Sequence, residues 1–185
     1  MATWYELVIG GDEHDLVPYL CGYAAGAGAG GVYFAQEAGF HLKPLRDRIK
    51  HRGEVQHVIC EASRIDHVRD ALAKAGPRYS FEIREESEIA RAYFHFEFDT
   101  PSRKVAGEIK GLLSALPADV AVRDYDPEEI VHPDAKGAEV YSPAHEFVFR
   151  GKGVLEGDTG GIIKIRKQLD EMDFVKCGEI ELHRA

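Results

Sequence analysis

The sequence predicts an α+β fold of two βαββαβ halves, residues 1–88 and 89–185, and three observations carry that prediction. Phe94, Phe96 and Phe98 alternate with Tyr93, His95, Glu97 and Asp99, the period of a half-buried strand. A helical pattern follows at once. Val105, Ile109, Leu112, Leu113 and Leu116 share one face, Thr100 stands where an N-cap belongs, and Pro101 stands at the first helical position. Finally, the order of strand and helix signals in the first half recurs in the second. Such an order builds antiparallel sheets with helices on one face.

In chain order, Trp4–Gly10 reads as a strand, with Tyr5, Leu7 and Ile9 on one face and Trp4, Glu6 and Val8 on the other. A helix from Asp12 or Asp15 has Leu16, Leu20, Tyr23, Ala24 and Ala27 as its apolar face, with Pro18 tolerated in the first turn. The glycines from Gly26 to Gly31 close it. Val32–Ala35 is a short strand and Lys43–Lys50 a short extra helix. Val55–Glu61 is the next strand. Ser63 is expected to cap a helix with Asp66 completing a capping box, Ile65, Val68, Leu72 and Ala75 as its buried face, and Gly76-Pro77 as its stop. Tyr79–Glu85 closes the first half. The charged run Glu85–Ala90 marks the boundary; it has no proline or glycine, so it reads as stiff.

In the second half, Ala92–Asp99 is a strand, Ser102–Ala115 a helix and Val120–Asp124 a strand. The Pro- and acid-rich stretch Asp126–Pro143 is expected as an ordered cover, lying across the other half or a second subunit with Tyr141 buried. His145–Leu155 is a long strand. Asp158 or Thr159 caps a helix in which Ile162, Ile165, Leu169 and Met172 share a face, and Val175–His183 is the last strand.

Two βαββαβ passes resemble a tandem pair of ferredoxin-like domains over nearly the whole chain. The resemblance extends to uncharacterised bacterial proteins and, in architecture only, to amino-acid-binding regulatory domains of this fold. It implies crossovers that join parallel neighbours with a right-handed sense. It identifies no functional family, because a fold by itself carries no function.

Composition bounds the partners. Formal net charge is −9, from 32 acidic and 23 basic residues, which opposes binding to phosphate backbones. The most basic stretch, Lys43–Arg52, is short and carries Asp47. The N-terminus MATWYELVIGGDEHD lacks the pattern of a signal peptide, and no apolar run approaches the ~20 residues of a membrane span. Cys21, Cys60 and Cys177 are odd in number and widely spaced, which predicts a reducing cytoplasm rather than a disulfide framework. The expectation is therefore no nucleic acid and no membrane.

Few motifs carry chemistry. Gly26, Gly28 and Gly31 spell G-x-G-x-x-G, but a helix precedes and a strand follows, the reverse of a dinucleotide-binding turn. Nine histidines raise the question of a metal. However, His57 and Cys60 fall on opposite faces of a strand, His14 and Cys21 are two helical turns apart, and no H-E-x-x-H or C-x-x-C occurs. No metal and no cofactor are expected. Cys60 lies at a strand end before a helix, where a dipole lowers a thiol pKa; the plainer reading is a small buried hydrophobe. Gly10-Gly11-Asp12 and Gly157–Gly161 precede helices, where free N–H groups can hold an anion; a simple turn and cap is the plainer reading there.

The leading candidate surface comes from sheet geometry. If Phe94, Phe96, Phe98, Phe147 and Phe149 face helices, the opposite, open side carries Tyr93, His95, Glu97 and Asp99, joined by Glu146, Val148 and Arg150. Trp4, Glu6 and Val8 are the matching first-half positions. The set Trp4, Glu6, Tyr93, His95, Glu97 and Arg150 suits a small polar ligand on that face or at the domain junction. It equally suits a sheet-to-sheet or subunit interface, which would make a homodimer. The alternation also resembles the aromatic strand of RNA-recognition domains, but His95, Glu97 and the net acidity oppose that reading. Three functions stay open: a non-catalytic binding or regulatory protein, a small enzyme, and a purely structural protein. In the enzyme, His95 would be acid/base, Glu97 or Glu146 would orient it, and Arg150 would bind a substrate anion.

Overall fold

The computed structural model describes residues 2–11, 30–35, 38–40, 54–74, 82–131 and 147–185. The elements expected within 12–29, 41–53, 75–81 and 132–146, with Tyr141 and Glu146 among them, lie outside the described residues. The strands are β1 (Trp4–Gly11), β2 (Val32–Phe34), β3 (Glu54–Glu61), β4 (Glu82–Thr100), β5 (Val120–Val131), β6 (Phe147–Gly157), β7 (Val175–Cys177) and β8 (Glu181–Arg184). The helices are α1 (Ile65–Lys74), α2 (Arg103–Ser114) and α3 (Thr159–Asp170). These eight strands form one antiparallel sheet of order β2-β3-β1-β4-β6-β5, with β7 and β8 also pairing β4. The fold is thus mixed α+β, with sheet dominant.

The chain divides into two compact units, Met1–Arg91 with Glu181–Ala185, and Ala92–Ile180. In unit 1, β1 pairs β3 and β4, and β2 pairs β3, all antiparallel. One face of this sheet meets α1. Leu7, Ile9, Phe34, Val58 and Cys60 pack with Ile65, Val68, Ala71 and Leu72 of the helix. Each leucine, isoleucine, valine or phenylalanine among them, fully buried, contributes about 1.5–3 kcal/mol.

In unit 2, β6 pairs β4 and β5, and β7 pairs β4, again antiparallel. Phe94, Phe96 and Phe98 are buried as the alternation predicts, with Ile109 of α2 and Ile162, Ile165 and Leu169 of α3. Opposite the last two phenylalanines stand Gly153 and Gly151. A Cβ on Gly151 would lie 2.5 Å from the Phe98 ring and one on Gly153 2.9 Å from Phe96, so these glycines make room for the rings.

Several expectations are corrected. The crossovers do not join parallel neighbours: β1 and β2 flank β3, and β4 and β5 flank β6. Of the strands expected at Tyr79–Glu85 and Ala92–Asp99, the described residues belong to one strand rather than two. β4 runs unbroken through 19 residues, because nothing in its sequence removes a ladder hydrogen bond. Thr100 is not the cap of α2, since it still pairs with Phe149. Ser102 is the cap, its Oγ accepting from Val105 N, while Thr100 Oγ1 accepts from Ser102 N. Ser63 does not cap α1; it sits inside a 3-10 turn, Ala62–Arg64.

Asp126–Val131 is strand rather than loop. β5 passes a bulge between Arg123 and Asp126 and continues to Val131. It lies at the end of the strand order, where Pro127 is tolerated because an edge strand has one side without ladder bonds. The last expected strand is two, β7 and β8, separated at Gly178–Ile180. On α2, Ile109 is buried but Leu112 is only half-buried.

Candidate functional site

The site is built from the second face of the unit 2 sheet. Alternation puts Tyr93, His95, Glu97 and Asp99 there, half-buried at Tyr93 and exposed at the other three. Register sets their neighbours. Glu97 stands opposite Lys152 on β6 and Lys176 on β7, and Lys152 stands opposite Asp126 on β5. Asp99 stands opposite Arg150, and Arg150 opposite Glu128. Two cross-strand rows of alternating charge result.

Among the described residues, three ion pairs lie on this face. Arg150 Nε meets Asp99 Oδ2 at 2.7 Å, Lys176 Nζ meets Glu97 Oε1 at 3.5 Å, and Arg123 Nε meets Glu156 Oε2 at 3.1 Å. The Arg150 and Lys176 pairs are exposed and each contributes about 0–1 kcal/mol, whereas Glu156 is largely covered. Lys152 sits between Glu97 and Asp126 in the ladder without an ion pair to either. The His95 ring meets the Tyr93 ring edge-on at 6.3 Å. No carboxylate pairs with His95 among the described residues.

Among the described residues, two adjoining grooves lie on unit 2. One, of about 540 Å³, is lined by Glu97, Asp99, Asp126, Glu128, Arg150 and Phe174 among others. The other, of about 600 Å³, is lined by His95, Glu97, Asp124, Lys152 and Lys176 among others. They share Glu97, Lys152 and Lys176. Two non-glycine residues among those described hold a positive φ: Asp124 at 51° and Phe174 at 66°. Each lines one groove. Phe174, in the turn before β7, is also the exposed large hydrophobic residue, at 54%. A bulky side chain held there costs roughly 1–3 kcal/mol, a strain that collects at ligand sites.

Of the residues expected at a site, Tyr93, His95, Glu97 and Arg150 therefore share this face, and Glu146 lies outside the described residues. Trp4 and Glu6 belong to unit 1, where the face expected open is closed: Trp4, Glu6, Val8, His57 and Ile59 are all buried. Sequence reasoning missed Asp124, Asp126, Glu128, Lys152, Phe174 and Lys176. Extending the alternation past Arg150 would have found Lys152. Nothing local marks Phe174.

The other candidates resolve plainly. Cys60 is buried, its Sγ donating to Glu61 O at 3.3 Å, and desolvation pushes its pKa up to about 12. Burial, with Asp170 beside it, pushes the Cys177 thiol up to about 12 as well. Both are protonated and unreactive at neutral pH. Asp158 caps α3, its Oδ2 accepting from Gly160 N and Gly161 N, so the side chain itself fills that helix end. Among the described residues no group of three or more His, Cys, Asp or Glu is placed to hold a metal, and no helix is long and apolar enough to cross a membrane.

No family model matches the chain, and no curated protein matches it. A crystal structure of an unknown protein from Galdieria sulphuraria is similar over 100% of this chain and 98% of its own, at 12% identity and a TM-score of 0.29. A likeness that low carries no argument about fold or function.

Proposed function

We propose that the protein is a non-catalytic binding or regulatory protein whose second unit holds a small polar ligand on its sheet face. The ligand lies in the two adjoining grooves, with Lys152, Glu97 and Lys176 at their shared centre. The observation that carries this reading is that the two left-handed non-glycine residues, Asp124 and Phe174, line one groove each. Phe174 offers an apolar wall and the alternating charges offer both hydrogen-bond polarities, the usual make-up of a ligand site. We read both units as ferredoxin-like. The antiparallel strand orders β2-β3-β1-β4 and β5-β6-β4-β7 support that reading.

The enzyme reading has less support. Lys176, not His95, engages Glu97, and His95 has no carboxylate to orient it among the described residues. The alternating charges leave no basic stripe of the kind that tracks a phosphate backbone.

The test is a melting screen of the full chain against small anionic, cationic and zwitterionic metabolites, followed by calorimetry on any hit. The expected result is a stoichiometric ligand whose affinity falls at least tenfold in Lys152→Glu and in Phe174→Gly, with both variants still folded. No hit, together with concentration-dependent dimers that Lys152→Glu dissociates, would replace the ligand reading with a subunit interface. Turnover of a hit that His95→Gln abolishes would establish the enzyme instead.

A further inference from the structure

The middle of β1 carries an acid in a buried position. Glu6 is 1% exposed, on a strand paired on both sides, opposite Ile59 and Ser87. Its Oε2 accepts from both Nε and Nη2 of Arg184, each at 3.1 Å. Its Oε1 lies 3.4 Å from Nδ1 of the buried His57, yet neither atom has a hydrogen-bond partner. Among the described residues, one guanidinium therefore supplies the side-chain hydrogen bonds that Glu6 receives.

That guanidinium lies 178 positions along the chain from Glu6. It rides on the four-residue strand β8, which pairs β4, and Ala185 N donates to Glu88 O at 3.1 Å. β1 already takes one edge of β4 in this unit, so β8 adds to the other. Arg184 then reaches across β4 to Glu6. Ser87, the β4 residue opposite Glu6, is small. These are the parts of a strand-addition site: main-chain bonds along an edge give affinity, and one side-chain contact gives specificity.

We propose that the edge of β4 beside Glu6 is a receptor for an extended arginine-bearing peptide, which the chain's own Glu181–Ala185 fills as a latch. Arginine is required because both donors of one fork reach a single carboxylate oxygen, which an ammonium cannot reproduce. An unfilled receptor leaves a buried carboxylate that faces only His57 among the described residues, so the folded unit holds the peptide continuously.

The test supplies the peptide in trans. A fluorescein-labelled peptide of residues Gly178–Ala185 is titrated into the full-length wild-type chain and the full-length Arg184→Gln variant. The peptide should bind Arg184→Gln at least tenfold more tightly than wild type, whose site is filled. It should also bind at least tenfold more tightly than the same peptide carrying Arg184→Gln, and this preference should vanish in a Glu6→Gln/Arg184→Gln chain. Absent binding to Arg184→Gln, or equal binding of both peptides, overturns the proposal. If Arg184→Gln does not fold, recovery of cooperative melting on adding the arginine peptide supports the receptor, and no recovery overturns it.

Discussion

β1 sets a single acid, Glu6, between Trp4 and Val8 on its second face, whereas the second half of β4 sets His95, Glu97 and Asp99 there, and the two faces meet opposite fates. In unit 1, Glu6 is 1% exposed and held by the Arg184 fork. In unit 2, Asp99 is more than half exposed and held by Arg150 at 2.7 Å. The shorter contact is the less costly one to break. Water screens the exposed pair and solvates either partner left alone, whereas the buried acid has no such alternative. Distance alone does not rank ion pairs; the medium around them does.

The largest test of that contrast is Arg184→Gln, which should cost about 3–5 kcal/mol because it strands a buried charge. Urea denaturation measures it, and a loss under about 1 kcal/mol would put Glu6 on the same footing as Asp99.

On the covered face of unit 2, Ile109→Ala should cost about 2–5 kcal/mol, and Leu112→Ala distinctly less. The helical pattern alone assigns both to the core, but only Ile109 is buried among the residues of α2. Equal losses would show that half-burial at Leu112 has no energetic meaning.

Gly151→Ala should cost roughly 1–3 kcal/mol, since the new Cβ meets the Phe98 ring. A neutral result would mean that the ring moves aside freely and that the phenylalanine face is loosely packed.

Arg150→Ala should change stability by no more than about 1 kcal/mol, and that small change should shrink further in high salt. A larger, salt-insensitive loss would reveal that the face is buried in an assembly.

The smallest effect at neutral pH belongs to the thiols. Their folded pKa values of about 12 exceed the ordinary 9.0, so the unfolded chain ionises first as pH rises. The stability they contribute is complete below pH 9 and is lost as pH climbs toward 12. Cys60→Ala should flatten part of that alkaline decline in melting temperature. Alkylation of Cys60 and Cys177 at pH 8, mapped by mass spectrometry, should be slow in the native chain.

The sequence by itself determined which residues of a strand share a face. Phe94, Phe96 and Phe98 are buried and His95, Glu97 and Asp99 exposed, as their alternation says, because side-chain direction along a strand is a local property. Asp158 as a cap is local in the same way. Tertiary structure decided what closes a strand's second face, since that depends on what packs upon it. It also decided the continuity of β4, the bulge that turns Asp124, and the exposure of Phe174. The meeting of Glu6 with Arg184, 178 positions apart, leaves no local trace either. Periodicity reports how a segment divides its own surface; which half a distant segment will cover is settled only when the chain folds back.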